Sequence, residues 1–177
     1  MKATGIVRRI DDLGRVVIPK EIRRTMRIRE GDPLEIFTNA GGEVIFKKYS
    51  PIGELSAFAV QYAEALTGAT KLPVVICDRD HCVAAAGISK KETLERRLTP
   101  DLEAIIDSRK NVNLGGSNQP ALEGVDRGIC VASPIIAAGD VCGAVVMLMG
   151  DSGETADEGD VKLATVASSF LGKQMES

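Results

Sequence analysis

Tryptophan is absent from the 177 residues, and aromatic side chains as a class reach only 3%. Platforms on which unpaired bases stack are therefore scarce, and single-stranded nucleic acid is a poor match. Histidine occurs once, as His81, which leaves acid–base and metal chemistry short of its commonest side chain. Long apolar runs are missing too. The most apolar stretch, Gly139 to Gly150, is broken by Asp140 and falls well short of the about 20 residues that cross a bilayer. The opening Met1-Lys2-Ala3-Thr4 reaches Arg8 without the apolar core of a secretory signal, so a cytoplasmic protein with no membrane partner is expected. Cysteines are few: Cys77, Cys82, Cys130 and Cys142 are expected as reduced thiols, not bridges.

What is present describes a core-forming chain, 44% hydrophobic and 27% charged. Its net charge of −3 is unevenly distributed. Residues 1–50 carry eleven basic and seven acidic side chains, a net +4, whereas the other 127 carry eleven and eighteen, a net −7. Within residues 1–29 the balance sharpens to nine against three, a net +6. A basic head on an acidic body points to an anionic partner for the head alone. Duplex DNA, met through phosphates and groove edges, suits that head better than single strands.

Ser50-Pro51 marks the boundary between a domain of residues 1–50 and one of residues 51–177. In the first, β-branched segments Thr4–Ile10 and Arg15–Ile18 flank the turn sequence Asp11-Asp12-Leu13-Gly14. Pro19 then opens a helix through Lys20–Arg27, and Leu34–Thr38 and Val44–Tyr49 flank the hairpin loop Asn39-Ala40-Gly41-Gly42. Ile6 and Val7 face opposite ways along a strand, as do Val16 and Val17 and also Ile45 and Phe46. A small sheet with one wet face needs no such double-sided apolar pattern, and fifty residues bury little surface unaided. An obligate dimer, with strands of two chains covering each other, is expected.

The second domain reads as α+β. Leu55, Phe58, Ala59, Tyr62, Ala63 and Leu66 follow a helical stripe that Thr67-Gly68 should stop. Strands are expected over Leu72–Cys77, Cys82–Ala86, Ile129–Ala137 and Val141–Met149. Capping boxes are read at Ser89–Glu92 and Thr155–Glu158, and Thr99-Pro100 opens a helix through Arg109. A final helix carries Val161, Ala164, Ala167, Ser168 and Leu171 on one face. Its small residues, with Ala59 and Ala63, suit close packing between subunits, so a homotetramer is expected.

The run Gly5–Arg24, with Asp11-Asp12-Leu13-Gly14-Arg15-Val16-Val17-Ile18-Pro19-Lys20 at its centre, resembles the AbrB-type swapped-hairpin DNA-binding family. Met26–Ile36 and Lys47-Lys48-Tyr49 extend the likeness over nearly all of residues 1–50. The layout of head and acidic body is similar to that of sporulation regulators with a GAF-like second domain, carried here by Asp78–Gly87 and Val131–Met149. The resemblance implies an intertwined two-chain β-barrel and a transcriptional regulator, activator or repressor, of duplex DNA. It places the DNA contacts on Arg8, Arg15, Arg23 and Arg24, with Arg9 a further basic position. A guanidinium fork grips a phosphate, or the O6/N7 edge of guanine, with two hydrogen bonds. The bland alternative is a solvated face paired to Asp11, Asp12 and Glu21; Arg27 and Arg29 are left undecided, with a solvated place the expectation.

Nothing else in the chain converges on chemistry. His81 and Cys82 point to opposite faces of a strand, which with Cys77 makes a poor metal site, and no nucleophile signature surrounds a cysteine. No catalytic or metal residue and no cofactor is expected. The loop Asn111–Gly124 and the hairpin after it are where a GAF-like body would hold an unidentified small-molecule effector. The rival reading is an antitoxin, since related heads neutralise toxins; 127 patterned residues argue against the short tail such proteins carry.

Overall fold

The computed structural model describes residues 2–176, which separate into one unit ending at Tyr49 and another beginning at Ser50. In the first, Pro19 sets φ to −57° and precedes helix α1 (Lys20–Thr25). The helix is shorter than the expected Lys20–Arg27, because Arg27 turns left-handed at φ 52° and ends it. Strands β1 (Leu34–Thr38) and β2 (Val44–Lys48) pair antiparallel from Leu34↔Lys48 to Thr38↔Val44. Their loop is organised by Asn39, whose Oδ1 accepts from the backbone N–H of Gly41 and Glu43, each at 3.0 Å.

The expected strands Thr4–Ile10 and Arg15–Ile18 do not form in the single chain. Their turn closes, with Asp11 N donating to Arg15 O at 3.0 Å, but no ladder continues from it. A strand exists through its neighbour, and one chain supplies these segments with none. Among the described residues there is consequently a two-stranded sheet and no closed barrel. Among the described residues of this unit, Pro19 alone is buried.

In the second unit, Ser50 caps α2 (Pro51–Glu54) through Oγ, which accepts from Gly53 N at 3.1 Å. The chain bends at Leu55 and resumes as α3 (Ser56–Thr70), so the single helix expected across this stretch is broken in two. Thr67-Gly68 does not stop it; left-handed Lys71 does. Strands β3 (Val74–Cys77) and β4 (Cys82–Ala86) form a hairpin followed by α4 (Lys90–Thr93), α5 (Pro100–Ser108) and β5 (Val112–Asn113). The long hairpin β6 (Ile129–Ala137) and β7 (Asp140–Leu148) and the helix α6 (Glu158–Gln174) complete it. All five strands make one antiparallel sheet in the order β4-β3-β7-β6-β5.

Both faces of this sheet are covered. Ile76, Val131, Val145 and Met147 meet Ala59, Ala63, Ala164, Ala167 and Leu171 of α3 and α6 on one side. Val75, Ala132, Val146 and Leu148 meet Leu98, Leu102, Ile106 and Leu122 on the other. The small-residue stripes expected between subunits therefore face their own sheet, where they admit close approach: a Cβ on Gly172 would stand 2.2 Å from Ile136 O. Capping boxes also differ from expectation. Ser89 makes no side-chain cap, its carbonyl accepting from Thr93 Oγ1 instead. The box that starts α6 is Asp157 with Asp160, two residues beyond the one read from Thr155.

Candidate nucleic-acid interface

Arg8, Arg15, Arg23 and Arg24 are all exposed, as is Arg9. Arg8 precedes the Asp11 turn, Arg15 follows it directly, and Arg23 and Arg24 occupy the last turn of α1, where cations offset the helix dipole. No hydrogen bond or ion pair among the described residues joins one of the four to another. The guanidinium groups of Arg23 and Arg24 have no protein partner among them, and that of Arg8 has only a 3.4 Å contact from Nη1 to Val7 O.

Arg15 is different. Its backbone N donates to Asp11 Oδ1 at 2.8 Å, and its Nε donates to Asp11 Oδ2 at 2.8 Å. Leu13 N also donates to Oδ1, at 3.0 Å, and Gly14 closes the turn at φ 77°, a left-handed value that costs other residues strain. These donors hold the Asp11 carboxyl below its usual range, Arg15 N–H being the largest cause and the Arg15 side chain the next. The solvated-face alternative is thus correct for one edge of Arg15, while Nη1 and Nη2 stay without a partner among the described residues.

A second carboxylate, Asp32, holds the loop after α1. Its Oδ2 accepts from Arg29 N at 2.8 Å and lies 3.5 Å from Lys48 Nζ, which donates to Arg27 O at 2.8 Å. Arg27 and Arg29 are half-buried here, not on an open solvated face. Neither carboxylate was legible as a site. The Asp11–Gly14–Arg15 spacing could have indicated the first; the Asp32–Lys48 contact, sixteen residues apart, leaves no local signal.

Elsewhere the chemistry is muted. The Cys82 thiol beside Cys77, together with burial, holds Cys77 well above the ordinary thiol range, and burial raises Cys130 and Cys142. Thiols so held are poor nucleophiles at neutral pH. No group of three or more His, Cys, Asp or Glu able to hold a metal gathers among the described residues. A polar cleft of about 550 Å³ lies where the β6–β7 hairpin meets its loops, lined by Asn118, Asp126, Arg127, Met149 and Asp151. Its one cation is engaged internally: Arg127 donates to Asp151 Oδ1 at 2.6 Å and to Met149 O at 2.9 Å. Among the described residues, no helix is long and apolar enough to cross a membrane.

Fold and charge together define a two-unit protein, a basic hairpin head on a body built like a GAF domain. The body superposes on the GAF domain of an Acinetobacter phosphoenolpyruvate-protein phosphotransferase with a TM-score of 0.57 at 13% identity, covering 73% of this chain and 84% of that one. Residues 54–176 match the family described as stage V sporulation protein T C-terminal, transcription factor, and residues 7–53 match the MazE family of bacterial antitoxins. The chain is 52% identical over 179 residues to stage V sporulation protein T of Bacillus subtilis (strain 168), covering 99% of each. Over 51 residues it is 59% identical to the transition state regulatory protein AbrB of the same organism, covering 29% of this chain and 52% of AbrB. The chain belongs to the stage V sporulation protein T family of transcription factors.

Proposed function

We propose that this protein regulates sporulation genes in the cytoplasm by binding duplex DNA through a two-chain head, without catalysing a reaction. Arg8, Arg15, Arg23 and Arg24 of each chain supply the contacts. The observation that carries this reading is the set of exposed guanidinium groups with open donors in a head of net charge +6 over residues 1–29. A dimer is supported by the same head's lack of a core, with Val7 84% exposed and Ile10 73% exposed. If six to eight arginines of a dimer neutralise phosphates, the log–log salt slope is about −5 to −7. Arg15→Ala should weaken duplex binding about tenfold or more with the assembly intact, measured by titration at fixed salt and by light scattering. Unchanged affinity would sink the assignment.

The body associates chains through the outer sides of α3 and α6, where Phe58, Leu163 and Val166 are exposed beside the Tyr62–Phe170 ring contact. Four chains per particle is the expected mass. A small-molecule effector of the body would enter at the polar cleft by Arg127. The antitoxin reading draws on the match of residues 7–53 alone. Co-purification of a stoichiometric small toxin with the full chain would favour it.

A further inference from the structure

We propose that Asp11 is a specificity-determining positioning residue for DNA recognition: it holds Arg15 by the Nε edge so that Nη1 and Nη2 alone face the duplex. This deepens the DNA-binding reading and rests on it. Three hydrogen bonds join the two residues, from Asp11 N to Arg15 O, from Arg15 N to Asp11 Oδ1 and from Arg15 Nε to Asp11 Oδ2. Backbone and side chain of Arg15 are therefore anchored to one carboxylate across a closed turn. Such anchoring restricts an arginine whose side chain is 69% exposed and whose rotamers would otherwise be free.

The anchor acts differently on fitting and unfitting DNA. An unconstrained arginine loses rotamer entropy when fixed on any acceptor. Held by Asp11, Arg15 has given up part of that freedom beforehand, so an acceptor pair aligned with Nη1 and Nη2 meets a prepared fork. That pair is two phosphate oxygens or the O6 and N7 of guanine. Where the acceptors are displaced, the side chain must leave Asp11 to follow them, and a bare carboxylate then stands against the polyanion. Recognition combines an attraction at the right geometry with a repulsion at the wrong one. Asp12, one residue later in the turn and also an aspartate, makes no hydrogen bond or ion pair with Arg15 among the described residues and supplies the control.

The test uses the full chain and two probes: a duplex selected by the wild-type protein from a random-sequence pool, and a shuffled duplex of the same composition. Asp11→Asn keeps an Oδ1 acceptor for the N–H groups of Leu13 and Arg15 while removing the charge that holds Nε. It should tighten binding to the shuffled duplex without tightening the selected one, so that the ratio of the two affinities falls about tenfold, the coupling expected of contacting charged groups. Asp12→Asn should move both affinities by one factor and leave the ratio as it is. In an Arg15→Ala background, Asp11→Asn should no longer change the ratio. The proposal is overturned if Asp11→Asn shifts both duplexes equally or neither, if Asp12→Asn reproduces its effect, or if the effect persists without Arg15. If Arg15→Ala by itself binds both duplexes as the wild type does, the underlying reading of Arg15 fails instead, a result that the other arms do not mimic.

Discussion

The two units of this chain solve the burial problem in opposite ways. The body packs a five-stranded sheet on both faces, and every β6 residue from Ile129 to Ile135 is buried. The head up to Tyr49 has Pro19 as its one buried described residue, and leaves Val17 69% and Ile36 60% exposed. Apolar content is not what separates them, since the head is rich in Val and Ile. Connectivity is. In the body each strand has neighbours within the same chain, whereas Thr4–Ile10 and Arg15–Ile18 have none. A chain can thus carry one unit whose strands are all paired within it and one whose apolar segments it leaves uncovered.

That comparison breaks most visibly at Val17. On an exposed surface, Val17→Asp would cost nothing. Under a partner strand it removes about 1.5–3 kcal/mol of burial per copy and adds an unpaired charge. We expect the head to dissociate, duplex binding to fall at least a hundredfold, and the particle mass to drop from the proposed four chains to two by light scattering. Retained mass and binding would show that the head closes by some other route.

Leu102→Ala sharpens the contrast from the other side. Leu102 is wholly buried on α5 against the sheet, so its truncation should cost about 2–5 kcal/mol in urea unfolding of the body. Because that core lies within one chain, the loss should not depend on protein concentration. Any loss at Val17 should.

These differences set what the sequence could reveal. The β1–β2 hairpin and the strands of the body were legible, since the period of side chains and residues such as Asn39 act over a few positions, as do Pro51 and Pro100 at helix starts. The break at Leu55 and the start of α6 at Asp157 were not, because more than one residue can cap a helix and tertiary contacts choose among them. The small residues of α3 and α6 were recognised as a close-packing stripe but assigned to the wrong neighbour. Sequence gives the face, not what covers it. In the head, the motif directed attention to four arginines that all stand exposed, while Asp11 was read as part of a turn and as one of several possible ion-pair partners, not as the anchor of Arg15.

The thiols offer a smaller test. Cys77, Cys82 and Cys130 are buried in the body's two core layers, while Cys142 is half-buried near the start of β7. A bulky thiol reagent at neutral pH should label one thiol per chain, and Cys142→Ser should abolish that reaction. All four should react in urea. Rapid labelling of two or more in the native state would mean that the sheet opens locally.

The smallest effect concerns Asp11 and reports on the turn from Asp11 to Arg15 in the head. Its carboxyl is lowered by Arg15 N–H first and by the Arg15 guanidinium second, so it should titrate below the ordinary aspartate range. A lowered value means the carboxylate's contribution to the native turn is complete above the ordinary range and is lost as pH falls through the lowered one. The hold on Arg15 is therefore intact at neutral pH, and mild acidification to pH 6 should leave it unchanged. Carbon-13 carboxyl titration of the full chain can follow it. In Arg15→Ala the guanidinium is gone but the backbone N–H remains, so the value should rise only part of the way. A full return to the ordinary range would mean that the turn had opened with the side chain, and that Arg15 had been holding Asp11 rather than the reverse.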